Sequence, residues 1–252
     1  MCSKVMRGLS PLFFLSIICA ASCTVKEDRD SCPCALRIQL EGWGRKAVSL
    51  RLSGENYLQE LSSQGDTNLN LRVPKSGLGL LAVSGAGLPD GPYIRIPYGY
   101  DCPRILLAGT RASTGADSAS LILSPLKHYC ALTIHFSGPE SWGEPFWAQI
   151  RGSVEGLYAD GTPAPGPFSC RADDSQTVCL PRQRPSDILL LDIMMPGQPV
   201  RTFDLGGCLE MAGYDWEAPQ LEDKSLEIEL CVSSVTLHLD GWSRTIYLKV
   251  DI

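Results

Sequence analysis

Apolar and polar residues alternate in short runs along most of this chain. In "ALRIQL" Leu36, Ile38 and Leu40 fall on one face, and Val48, Leu50 and Leu52 repeat the pattern in "AVSLRL". A period of two marks a half-buried β-strand, because successive side chains point to opposite faces. "LNLRV", "LGLLAV", "YIRI", "RILLA" and "SASLILS" follow at short intervals, divided by Gly, Pro and Asp clusters. Pro125 then interrupts ladder pairing, and "YCALTIHF", "FWAQIRGSVEGLY", "TVCLPR", "SDILLLDIMM" and "VRTFDL" renew the pattern. The expected irregularities are a break at Gly152, a Pro/Gly loop over "DGTPAPGPF", and a strand buried on both faces at Leu189-Leu190-Leu191. No window carries a helical period, so any helix is short.

The tail contains the strongest hairpin signal. "SSVTLHL" sets Val235, Leu237 and Leu239 on one face, and "RTIYLKVDI" returns with Ile246, Leu248, Val250 and Ile252 in phase. Between them Asp240-Gly241 supplies the φ > 0 residues of a type I′ turn. Such a strand serves one of two ends. It pairs only within its own sheet, or it is donated to another subunit, with main-chain bonds giving affinity and alternate side chains giving register. Many short strands with regular turn signals predict an all-β sandwich architecture. The 252 residues leave room for two sandwiches of roughly 100 residues each. The expected division is 35–124 and 125–252, with the boundary at Ser124-Pro125.

The first residues read as an export signal. Lys4 and Arg7 precede an apolar run centred on Phe13, Phe14, Ile17 and Ile18, too short to span a bilayer. Ala20, Ala21 and Ser22 directly precede Cys23, a pattern that resembles the bacterial lipobox: 1–22 are removed and Cys23 is acylated. Two or three acyl chains, at about 0.8 kcal/mol per buried CH₂, hold a protein firmly to a membrane. The competing reading is an ordinary secretory signal with an incidental cysteine. Residues 23–34 then form a tether, in which Lys26-Glu27-Asp28 resembles a surface-export signal or is simply a solvated stretch. No later segment reaches spanning length without a charge or a proline.

Charge and cysteines narrow the field. Removing 1–22 takes the formal charge from −6 to −8, which argues against a nucleic-acid partner. Of the eleven cysteines, Cys2 and Cys19 leave with the signal and Cys23 takes lipid. The remaining eight permit disulfides in an exported chain, with many connectivities. Cys170 and Cys179 are the expected pair, flanking the turn "RADDSQTV" and facing one another across a hairpin. Cys130, in phase with Leu132, Ile134 and Phe136, is expected in the core. Cys32-Pro33-Cys34 has no second pair to complete a metal site; neither metal nor cofactor is expected.

No catalytic constellation emerges. His128, His135 and His238 lie on or beside predicted strands. There is no nucleophile elbow, Walker loop or dinucleotide fingerprint. Asp173-Asp174 sit in a polar turn. "GYDW" sets an aromatic beside an acid, as a sugar platform would, but Trp216 is expected instead to plug the sandwich with Tyr214 beside it, and Trp142 and Trp147 are the better candidates for an exposed ligand surface.

Three stretches carry a resemblance to a known family: "CTVKEDRDSCPC", "IRGSVEGLYADGTPAPGPFSC", and "TFDLGGCLEMAGYDWEAPQLED" with the terminal hairpin. With "IPYGYDC" and "PLKHYCALTIHF" they resemble the FimB-like fimbrial anchor and assembly lipoproteins of fimbrillin-type (type V) pili. The resemblance implies two transthyretin-like β-sandwich domains on a lipid tether. It also implies an outer-membrane location at the cell surface, and fimbrial subunits as partners through strand donation. Gly206-Gly207-Cys208 departs from the family, which carries a firmer strand there.

Overall fold

The computed structural model describes residues 32–138, 146–194, 199–231 and 234–247. The signal segment, Cys23, Lys26, Glu27, Asp28, Trp142, Leu248, Val250 and Ile252 lie outside the described residues.

The described chain is nearly all β, in four sheets that face each other in pairs. In the first pair, β1 (Cys34–Leu40) lies between β4 (Asn68–Val73) and β8 (Ser118–Leu123). The facing sheet has the order β3-β2-β5-β7-β9, built from β2 (Ala47–Gly54), β3 (Tyr57–Gln64), β5 (Gly77–Ser84), β7 (Leu106–Ser113) and β9 (Leu126–Lys127). Leu36, Ile38, Leu50, Leu52, Leu80 and Trp43 fill the space between them. Burying each such side chain contributes about 1.5–3 kcal/mol. Trp43 is fully buried and donates its indole N–H to the Leu123 carbonyl at 2.8 Å, which ties the β1–β2 turn to the end of β8.

The second pair repeats this wiring. One sheet has the order β13-β10-β16-β17-β18, from β10 (Tyr129–Ser137), β13 (Gln176–Pro181), β16 (Lys224–Leu230), β17 (Ser234–Leu239) and β18 (Trp242–Tyr247). The other has the order β12-β11-β14-β15, from β11 (Trp147–Tyr158), β12 (Pro163–Asp173), β14 (Leu189–Met194) and β15 (Arg201–Asp204). β1 pairs antiparallel with β4 and parallel with β8; β10 pairs antiparallel with β13 and parallel with β16. The order β3-β2-β5-β7 has its counterpart in β12-β11-β14-β15. Among the described residues only the second unit carries a hairpin, β17–β18, beyond its parallel strand.

The two units are interlocked at their junction. β6 (Tyr93–Arg95) precedes Ser124-Pro125 yet pairs with β11, and β9 follows it yet pairs with β7. β5 serves both cores: Leu78, Leu80 and Ala82 face the first, Leu81 and Val83 the second. Gly109 on β7 admits the turn between β11 and β12, since a Cβ there would lie 2.2 Å from the Ala159 carbonyl oxygen.

Four details differ from the sequence expectations. The Pro/Gly stretch is strand β12, not a loop. As an edge strand β12 pairs on one side only, so Pro163, Pro165 and Pro167 remove N–H groups that the ladder can spare. β11 runs on through Gly152, absorbing the irregularity as register shifts between Gly152 and Gly156. Leu190 is only half-buried, and it is β5 that is buried on both faces. Finally, the Gly-Gly-Cys stretch is a helix, α1 (Leu205–Met211). Asp204 caps it by accepting from the Gly207 N–H at 3.0 Å, and Leu205, Cys208 and Leu209 pack inward at helical spacing.

Candidate functional site

An extended segment from another chain can add only at an open sheet edge or in an unfilled strand slot. The slot of the first strand is filled by the chain's own β1, whose Cys34, Leu36, Ile38 and Leu40 are buried. That strand makes six Cα pairs with β4 and six with β8. β10 fills the matching slot in the second unit. Neither slot is open to a donor.

The edges differ in chemistry. β12 carries the three prolines, and β13 ends on Pro181. β8 presents Ile122 outward. β18, "WSRTIY", has no proline or glycine and, among the described residues, pairs only with β17. Its position is firmly set. Asp240 and Gly241 have φ of 46° and 79°, the two left-handed residues of the expected turn. Leu239 pairs with Trp242 and Val235 with Ile246; the Thr236 and Thr245 hydroxyls meet at 3.0 Å. Lys224 Nζ bridges Asp240 at 2.5 Å and Glu222 at 2.9 Å, pinning the turn to the start of β16. The Asp240 bond first, and the Glu222 bond with it, raises the Lys224 pKa. Arg244 reaches Cys208 of α1: burial pushes that thiol up, and Arg244 opposes the shift.

The remaining predicted residues are placed as follows. Of the candidate donor residues, Ile246 is half-buried on β18, paired within its own sheet. Cys130 is buried in the core, as expected. Cys170 and Cys179 share that core but not across a hairpin, since β12 and β13 belong to opposed sheets. Cys102 is their unanticipated neighbour, with its N–H bonded to the Cys179 carbonyl at 2.8 Å. Burial pushes Cys170 up to about 12 and Cys130 up to about 11. Cys32 is exposed and Cys34 buried. Trp216 and Tyr214 are buried edge to face, centroids 4.6 Å apart, with the Tyr214 hydroxyl donating to the Glu222 carbonyl at 2.9 Å. Trp147 is half-buried beneath the Arg171 guanidinium, 4.5 Å from its ring centre. His135 and His238 are exposed or nearly so, and Asp174 accepts from the Phe136 N–H.

One cluster had no signal in the sequence. Buried Arg182 donates to His128 Nδ1 at 3.1 Å and to the carbonyls of Trp216, Ala218 and Lys127 at 2.6, 2.9 and 3.0 Å. Its partners lie dozens of residues away in sequence, so no spacing rule links them. Burial, then the Arg182 charge, lowers His128 to about 4, against the pull of Asp160 and the Gly161 backbone. Among the described residues no group of three or more His, Cys, Asp or Glu is arranged to hold a metal. Nor is any described helix long and apolar enough to cross a membrane.

No protein-family model and no curated protein matches this sequence. Solved structures do match its fold. The fimbrial anchor protein Mfa2 from Porphyromonas gingivalis is 12% identical with a TM-score of 0.63, over 86% of this chain and 100% of that one. A candidate adhesin from Bacteroides ovatus is 9% identical with a TM-score of 0.63, over 85% and 95% of the two chains. A candidate polysaccharide-binding protein from Bacteroides thetaiotaomicron is 12% identical with a TM-score of 0.62, over 84% and 98%. The all-β expectation is met, and the architecture is one that a fimbrial anchor protein shares over its whole length.

Proposed function

We propose that this chain is a non-enzymatic cell-surface subunit of a fimbrial system, an anchor or accessory subunit held to the outer membrane by acyl chains on Cys23. The observation that carries the reading is the pair β1 and β18. A chain whose own first strand fills its slot accepts no donor there, while β18, set in place by the Asp240-Gly241 turn, leaves one edge unpaired among the described residues. Such a subunit ends a fibre on one side and joins its neighbour by strand addition on the other. The fold likeness to a fimbrial anchor protein supports this reading.

Two experiments test it separately. Radiolabelled palmitate is expected to enter the wild-type chain and not Cys23→Ser; equal membrane retention of the variant ends the anchoring part. Deleting residues 245–252 is expected to abolish co-purification of fimbrial subunits from cells while the remaining chain stays folded. Retained co-purification, or a chain that unfolds outright, means that the strand serves its own sandwich.

A second reading, a surface module for glycans, rests on Trp147. Its ring is partly open and backed by Arg171, an arrangement that stacks on a sugar face. Retention on glycan arrays that Trp147→Ala removes would establish it.

A further inference from the structure

An open sheet edge invites an added strand, and proteins blunt such edges with charges, prolines or very short strands. Among the described residues every edge strand but one carries a charge or a proline. β3 has Glu60, β4 Arg72, β6 Arg95, β9 Lys127, β15 Arg201 and β18 Arg244, while β12 and β13 hold prolines. β8, "SASLIL", has neither. The direction of its backbone groups follows from its bonds to β1. The Ala35 N–H donates to the Asp117 carbonyl at 2.8 Å and the Glu41 N–H to the Leu123 carbonyl at 3.1 Å. Successive residues of a strand turn these groups to opposite sides. The odd-numbered residues of this stretch therefore face β1, and the N–H and C=O of Ser118, Ser120 and Ile122 point out from the edge. The side chains of these three are also exposed, Ile122 by 58%.

We propose that β8 pairs antiparallel with β8 of a second copy of this chain, about a twofold axis at Ser120, so that the two β4-β1-β8 sheets become one. In that register Ser120 lies opposite its own counterpart and Ile122 opposite Ser118 of the second copy. Every outward backbone group of the strand then has a partner. Two observations select this occupant. The matching strand of the second unit, β16, is covered on its corresponding edge by an antiparallel strand, β17, so this architecture accommodates such a neighbour. Self-pairing also sets a strand against its own sequence, where a charge of either sign would lie close to its like and destabilise the pair. Neutrality is what such a self-complementary edge requires, and twofold contacts of this kind are the commonest among homo-oligomers. The Ser120 hydroxyls meet across the axis as those of Thr236 and Thr245 meet between β17 and β18. A ladder this short is a small interface, so the association is weak and concentration-dependent. It lies on the first unit and rests neither on strand donation by β18 nor on the acyl anchor.

Sedimentation equilibrium of the full chain, from micromolar to near-millimolar concentration, reads the association directly. A monomer–dimer equilibrium is expected. Ser120→Lys, which sets two ammonium groups opposite one another, is expected to weaken it by about tenfold or more. Because Ser120 is exposed, the variant should keep the wild-type urea midpoint, which separates lost pairing from lost folding. A second variant needs no loss of function. With the exposed Cys32 and Cys231 changed to Ser, Ser120→Cys is expected to form a disulfide-linked dimer under mild oxidation, because the axis places that residue against itself. Ser118→Cys, displaced from the axis, is expected to stay monomeric on denaturing gels. A chain that is monomeric at every concentration overturns the proposal, as does a dimer that Ser120→Lys leaves unchanged. A monomeric chain that captures a fimbrial subunit, and loses it in Ser120→Lys, would give the edge to a foreign strand and equally end the case for self-pairing.

Discussion

Gly109 on β7 and Ala159 in the β11–β12 turn touch so closely that a methyl group on the first would stand 2.2 Å from the carbonyl oxygen of the second. The obstacle is backbone, which cannot rotate away as a side-chain tip can. Gly109→Ala should therefore prise the β11–β12 turn from β7 and destabilise the chain by about 1–3 kcal/mol. Gly87→Ala, where a Cβ meets nothing within 4 Å, is the matched control. Urea midpoints of the two variants decide the matter, and equal midpoints would show that the junction is pliable.

Protonation of His128 should cost stability. Its folded pKa of about 4 lies below the usual imidazole value. Between those values the unfolded chain binds more protons, so stability is full above about pH 6.5 and falls as pH drops toward 4. The loss is about 3 kcal/mol over that window. It should be much reduced in His128→Phe. Chemical denaturation at pH 7.5, 6, 5 and 4 gives the slope, and parallel slopes in both proteins would refute the assignment.

Arg182 is satisfied by carbonyl groups and a ring nitrogen, with no carboxylate among its hydrogen-bond partners. Arg182→Met removes every donor and leaves those acceptors bare, each at about 1–3 kcal/mol. The segment around Trp216 should loosen, seen as a red shift of tryptophan emission and faster amide exchange at 214–219. Arg182→Lys keeps the charge but not the planar fan of donors and should fall between.

Thiol chemistry separates the cysteines by burial. Cys32 and Cys231 are exposed and should alkylate within minutes in the native chain, whereas Cys130 and Cys170 should stay protected until unfolding. Peptide mapping of unreduced, exported protein is the check on Cys170–Cys179. A linked 170–179 peptide would establish that disulfide, and a 102–179 peptide would reassign it to the neighbour that the backbone places beside Cys179.

What was legible in the sequence was the part that alternation writes down. Leu36, Ile38 and Leu40 or Val235, Leu237 and Leu239 announce their strands, and Asp240-Gly241 announces its turn, because each is a local consequence of side-chain period or backbone sterics. The strand over Pro163–Pro167 was missed because proline reads as loop unless one knows that β12 has a neighbour on one side only. The helix at Leu205–Met211 was hidden by two glycines, and its support is tertiary: the Asp204 cap and the burial of Leu205, Cys208 and Leu209. The pairing of β6 with β11 and the meeting of Arg182 with His128 are contacts between distant segments, and nothing local in the sequence encodes them.

The shared wiring of the two units gives the molecule a direction. In the first, the strand that runs parallel to the opening one stands bare on its outer side; in the second, that same position is covered by two further strands. Because the appended hairpin sits on one unit only, the outer edges beside the two parallel strands are not equivalent, and a strand adding there would meet β8 on one and β18 on the other.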